Sequence, residues 1–111
     1  MSRDEQYQQL LQQTDLNSEF ERVILQEIYQ QGYRLPDTAQ ELIPQANSKP
    51  DFCYRDAGVV IFCDGLAHNH PEQQQQDRID RDLRYATGYY VLTLRYDQDW
   101  KAELAVLSSL L

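Results

Sequence analysis

Residues 51–63 constrain the folding of this 111-residue chain more than any other stretch. Asp51 to Arg55 and Val59 to Cys63 both read as short strands, rich in aromatic and β-branched side chains. Asp56-Ala57-Gly58 joins them and suits a three-residue hairpin loop with glycine in the left-handed third place. Such a hairpin pairs Arg55 with Val59, Cys53 with Ile61 and Asp51 with Cys63. That register carries Asp51, which follows Pro50, to the Cys63-Asp64 peptide on the partner strand. Gly65, His68 and His70 come next at the same end. Two carboxylates and two imidazoles are therefore expected together. A hydrolytic metal site needs that mixture, because hard oxygen ligands hold a divalent cation and an imidazole moves protons.

The flanking sequence supplies a domain around the hairpin. Ser2 to Gln13 is polar and glutamine-rich, with Tyr7, Leu10 and Leu11 its only large apolar residues. It reads either as a short helix or as a linker, and residues 1–17 are set apart from a domain spanning 18–111. Ser18-Glu19-Phe20-Glu21 has the form of a capping box, and Phe20, Val23, Ile24 and Ile28 follow at helical spacing. Gly32 suits the residue after that helix, and Pro36 prevents its resumption. Ala39 to Gln45 is a weaker strand, confined to a sheet edge by Pro44. His70-Pro71-Glu72 opens a second long helix, carried by Ile79, Leu83 and Ala86 and ended by Gly88. Tyr89 to Tyr96 alternates like a strand, and Trp100, Leu104, Leu107 and Leu111 make a C-terminal amphipathic helix. The order α-β-β-β-α-β-α predicts an α/β or α+β domain with a mixed central sheet flanked by helices.

Charge limits the functions open to such a domain. The formal net charge is −8, whereas a free-standing nucleic-acid binder usually carries a basic face. Affinity for phosphate must then come from a local patch, a metal or an attached partner. No apolar run is long enough to cross a bilayer, and the N-terminus has no signal-peptide core, so a soluble, cytoplasmic chain with no membrane partner is expected. Cys53 and Cys63 sit on adjacent predicted strands. A cross-strand disulfide is conceivable, and buried free thiols are favoured for a cytoplasmic domain.

Each candidate site residue also has a plainer explanation. Asp51 can simply mark the start of a strand, but Asp64 at the far end of the partner strand repels it unless a cation or proton sits between them. His68 and His70 flank a helix start, as cap and surface residue or as proton carriers near a metal. Glu21 is either a capping-box member or a helix-borne carboxylate that reaches the metal. Asp77, Asp80 and Asp82, with Arg78, Arg81 and Arg84, read as a solvated face, some of whose arginines could touch phosphates.

Pro50-Asp51-Phe52, Val60-Ile61-Phe62 and Cys63-Asp64-Gly65-Leu66-Ala67-His68 resemble the very-short-patch-repair (Vsr) endonucleases and relatives with a short Asp-Gly-x-x-His signature. Ser18 through Gly32, the Arg81-Asp82 helix and Gly88-Tyr89-Tyr90-Val91-Leu92 are similar to that family's flanking elements, so the resemblance covers about residues 18 to 96. It implies the restriction-endonuclease-like PD-(D/E)xK fold, with an αβββαβ core, and Mg²⁺- or Mn²⁺-dependent hydrolysis of DNA phosphodiesters in repair or restriction. Asp51 would be the central metal ligand and the Cys63 backbone carbonyl a second, with Asp64 beside them. Asp64, His68 or His70 would activate water or protonate the leaving oxygen, and Glu21 would be an outer acid.

The chain departs from the wider fold at Phe62-Cys63-Asp64, where most of these nucleases carry an acid and a lysine. Ala67-His68 replaces the aromatic wedge of the Vsr enzymes. Leu66 and Pro71 stand where zinc ligands would be, so no structural zinc is expected. Similar domains occur at the ends of larger bacterial proteins, including helicases and restriction subunits, and the acidic charge suits a module that relies on a fused or separate basic partner to hold DNA. Three readings follow: a metal-dependent nuclease domain, a degenerate nuclease-fold domain that docks DNA or protein, and an oligomerisation domain using the Trp100 helix.

Overall fold

A computed structural model describes residues 2–14, 19–44, 49–64, 83–109 and 111, with Asp64 described by its backbone. Helix α1 (Arg3–Gln13) and helix α2 (Glu19–Gln30) precede strands β1 (Thr38–Ala39), β2 (Phe52–Tyr54) and β3 (Val59–Asp64). Helical residues 83–87 (α3) lead into β4 (Tyr90–Arg95), and α4 (Trp100–Ser108) ends the chain. The fold is α+β, with a four-stranded mixed sheet and four helices among the described residues. The sheet order is β1-β2-β3-β4; the first two pairings are antiparallel and β3 runs parallel to β4.

Period-two alternation divides the core between the two sheet faces. Phe52, Tyr54, Val59, Ile61 and Leu94 turn to one face and are buried with residues of α1, α2 and α4. Cys53, Val60 and Val91 turn to the other and meet Leu83 of α3 and Ile43. Phe20 anchors the first cluster, edge-on to Trp100 and Tyr96 at 5.5 and 5.7 Å between ring centres. Gly32 ends α2 with φ of 76°. The Tyr33 N–H reaches Ile28 O at 3.0 Å and the Gly32 N–H reaches Tyr29 O at 3.2 Å, the paired bonds of a left-handed helix terminus.

Two sequence expectations are corrected here. The hairpin pairs Phe52 with Ile61, Cys53 with Val60 and Tyr54 with Val59, one residue away from the expected register. The reason is the loop: Arg55–Gly58 forms a four-residue turn, closed by Gly58 N–H to Arg55 O at 3.2 Å, with φ of 67° at Gly58. The strand expected over 39–45 is only Thr38–Ala39, because Gln40 takes φ of 58° and cannot continue a strand. Cys53 and Cys63 are both free thiols, and they pack on opposite faces of the sheet.

The polar N-terminal stretch is a helix built into the core. Ser2 caps it, accepting from the Glu5 N–H at 3.2 Å. Arg3 donates to the carbonyls of Ile28 and Tyr29 at 3.1 Å each, a second donor to oxygens that the terminus bonds already engage and a cation suited to that dipole end of α2. Tyr7 stacks on Tyr29 with ring centres 4.2 Å apart, and Tyr29 donates to Asp4. Leu10 is 2% exposed. Gln6 donates to Pro36 O and Gln13 accepts from the Ala39 N–H, both at 3.2 Å, so α1 also holds the approach to β1. Among the described residues no helix is long and apolar enough to cross a membrane. Leu10→Ala is expected to destabilise the fold by about 2–4 kcal/mol in urea unfolding, whereas Leu42→Ala, at an exposed position, should cost no more than about 0.5 kcal/mol. Equal effects would mean that α1 is not packed as described.

Candidate functional site

One end of the sheet, opposite the 55–58 turn, gathers residues from four elements. Asp51 lies at a bend just before β2. Its N–H donates to Ile61 O at 3.0 Å, although Ile61 is already the ladder partner of Phe52. Two consecutive residues therefore face one, which is a bulge, and bulges re-aim the side chains they carry. The re-aimed Asp51 carboxylate accepts the Cys63 N–H through Oδ2 at 2.6 Å. The expected meeting of Asp51 with the Cys63 peptide thus occurs by way of the aspartate side chain rather than by strand pairing.

Gln40 follows β1 and continues the same line of neighbours. Its N–H donates to Asp51 O at 3.0 Å. Its side-chain Nε2 donates to Asp51 Oδ1 and to Glu21 Oε1, at 2.7 Å in both cases. The two acid oxygens are therefore separated by at most twice that distance. An ionised carboxylate only accepts, so the nitrogen of the Gln40 amide is the end that must face them. Glu21 stands in the first turn of α2, where the helix dipole favours an anion, and is only 3% exposed. A carboxylate buried to that degree needs hydrogen-bond partners, and Gln40 is one of them. The capping-box reading of Glu21 involves Ser18, which lies outside the described residues.

Cys63 completes the cluster from β3. Burial pushes its thiol well above the ordinary thiol range, and the charges of Asp51 and then Glu21 push it further. Burial likewise raises the Cys53 thiol on the other face, with Glu41 the next contributor. These are poor nucleophiles, since the thiolate is the reactive form.

The structure therefore brings Asp51, Glu21 and Cys63 together. Asp64 ends β3 opposite Arg95 of β4. His68 and His70 lie outside the described residues, as do Leu66, Pro71 and the acidic and basic residues 77–82. Arg84 is exposed and engaged by its own domain, donating to Val91 O at 3.2 Å and lying 5.4 Å from the Tyr90 ring centre. Among the described residues no group of three or more His, Cys, Asp and Glu side chains is gathered as a metal set. An open pocket of about 460 Å³ beside Glu41, Ile43, Cys53, Arg55 and Tyr89 includes none of the residues of the acidic cluster. Gln40 was not legible as a site residue. It sits in a stretch whose pattern reads as a strand, and only its left-handed backbone aims the amide between the acids.

Comparison with protein-family models, with curated proteins and with solved structures finds no match to this chain.

Because burial and both neighbouring acids penalise only the thiolate, native Cys63 should stay protonated at mildly alkaline pH. Alkylation by iodoacetamide is expected to be more than about tenfold slower in the folded chain than in urea for both cysteines, followed by mass spectrometry of the labelled peptides. The same sign makes the fold less stable as pH rises through the ordinary thiol range, where the unfolded chain releases protons that the folded chain keeps.

Proposed function

We propose that this chain is a restriction-endonuclease-like domain whose acidic cluster serves metal-dependent hydrolysis of DNA phosphodiesters. The observation that carries the reading is the convergence of Asp51 and Glu21 at the carboxyl-terminal end of a parallel strand pair, where ligands of α/β sheets characteristically bind. The order of the elements agrees with the fold that the resemblance implies.

The donor chemistry fits a hard divalent cation. Asp51 accepts from the Gln40 amide through Oδ1 and from the Cys63 N–H through Oδ2, and carboxylate oxygens are hard ligands of the kind such a cation takes. The Cys63 carbonyl projects to the same strand edge as its N–H and so toward Asp51. Asp51, Glu21 and that carbonyl would hold Mg²⁺ or Mn²⁺, with Asp64 contributing from the end of β3. The cation, when bound, would polarise the phosphate and lower the pKa of an attacking water. The chain's own part is orientation: the Cys63 N–H and the Gln40 amide fix both oxygens of Asp51. His68 or His70, on the segment that leaves β3, would move the proton at the attacking or leaving oxygen. A net charge of −8 makes a fused or separate basic partner the means of holding DNA.

A second reading is favoured by Phe62, which occupies the place of the usual second acid and packs with the cluster on the opposite sheet face. Without a ligand from that position the domain could dock DNA or protein in a larger assembly without cutting. Plasmid nicking with Mn²⁺ separates the two. The nuclease reading expects activity that falls by roughly 10²-fold or more in Asp51→Ala and Glu21→Gln, with calorimetric Mn²⁺ binding lost in Asp51→Ala. No nicking and no Mn²⁺ binding by the wild type would leave the docking module.

A further inference from the structure

We infer that Gln40 is a positioning residue that keeps Glu21 and Asp51 converged before a cation arrives, by standing between them as a neutral substitute; the role of the cation in this statement rests on the reading above.

The chemistry of the amide suits the task. Its Nε2 carries two hydrogens, and one points to each acid, at 2.7 Å to Glu21 Oε1 and 2.7 Å to Asp51 Oδ1. Two carboxylates so close disfavour each other unless something positive lies between them. A pair of N–H dipoles supplies that without adding a charge to a buried site. The backbone is arranged for the same end. Gln40 takes φ of 58°, the one non-glycine residue with positive φ among the described residues. Asparagine, aspartate and glycine enter this region readily, and glutamine does not. Asparagine would relieve the backbone, but it is one methylene too short to span both acids. The position is held from both sides, by Gln40 N–H to Asp51 O at 3.0 Å and by Gln13 accepting from the preceding Ala39 N–H at 3.2 Å. The strain and the reach therefore serve one bridge. A cation entering between the acids has to displace the amide, so the geometry is ready in advance and only the donor is exchanged.

The test compares Gln40→Gly and Gln40→Asn with wild type by thermal unfolding in EDTA and in saturating Mn²⁺, each in the wild-type and the Glu21→Gln background. Both variants adopt the left-handed backbone more easily, so a purely conformational role for residue 40 would leave Tm unchanged or raised. The bridging role expects Tm in EDTA to fall by roughly 4–8 °C. It expects that loss to shrink when Glu21→Gln removes one of the two charges, and Mn²⁺ to restore the variants toward wild type. A Tm for Gln40→Gly at or above wild type in EDTA would overturn the inference, as would a loss of equal size in the Glu21→Gln background. If Mn²⁺ moves the Tm of no variant and not of the wild type, the metal reading fails, while the EDTA comparison still decides the role of Gln40.

Discussion

Strand β3 is the constraint on which the rest of the molecule depends. Val60 and Ile61 are fully buried, one on each face, and both edges of the strand are paired, antiparallel to β2 and parallel to β4. A strand in that position has no solvent to satisfy its amides, so each must find a partner in the protein. The supply from β2 runs out at Asp51, where the backbone bulges. The Cys63 N–H beyond it is taken by the Asp51 carboxylate instead. The end of the sheet and the start of the acidic cluster are thus one event, and the same bond that completes the strand fixes the aspartate.

Much of this order can be read from residue patterns. Amphipathic spacing marks α2 and α4, glycines mark the ends of α2 and α3, and the hydrophobic runs mark β2, β3 and β4. The hairpin register was not legible. A left-handed glycine at position 58 fits a three-residue loop and the observed four-residue turn equally well, and the two differ by one step of the ladder. The bulge at Asp51 then adds a residue back, which is why the aspartate still reaches Cys63 although the pairing between is shifted. Two local irregularities offset each other, and neither has a signature in residue type. The burial of α1 was hidden for another reason. Beside Leu10, its contacts are made by Arg3, Tyr7, Gln6 and Gln13, whose partners are backbone atoms and a stacked ring far along the chain.

The cluster sharpens the question posed by the chain's charge. An acidic surface repels nucleic acid at long range, but the acids that matter here lie at one sheet end, and Glu21 among them is buried and hydrogen-bonded. Their pairing is local chemistry that net charge does not report. Phe62 pulls the other way, since it gives to the far-face core a position that the proposed nuclease reading would give to its site. The two sides of β3 therefore carry the arguments for the two readings.

The contact between α1 and β1 has a consequence for motion. Gln13 holds Ala39 and Gln6 holds Pro36, on the segment that leads into Gln40. Short edge strands open more readily than central ones, and they do so in cooperative pieces rather than residue by residue. Here the piece that opens would be α1, β1 and Gln40 together, since releasing one frees the next. In hydrogen exchange the amides of Ala39 and Gln40 would follow the protection of the N-terminal helix, about thirty residues away in sequence, instead of that of β2 and β3 beside them.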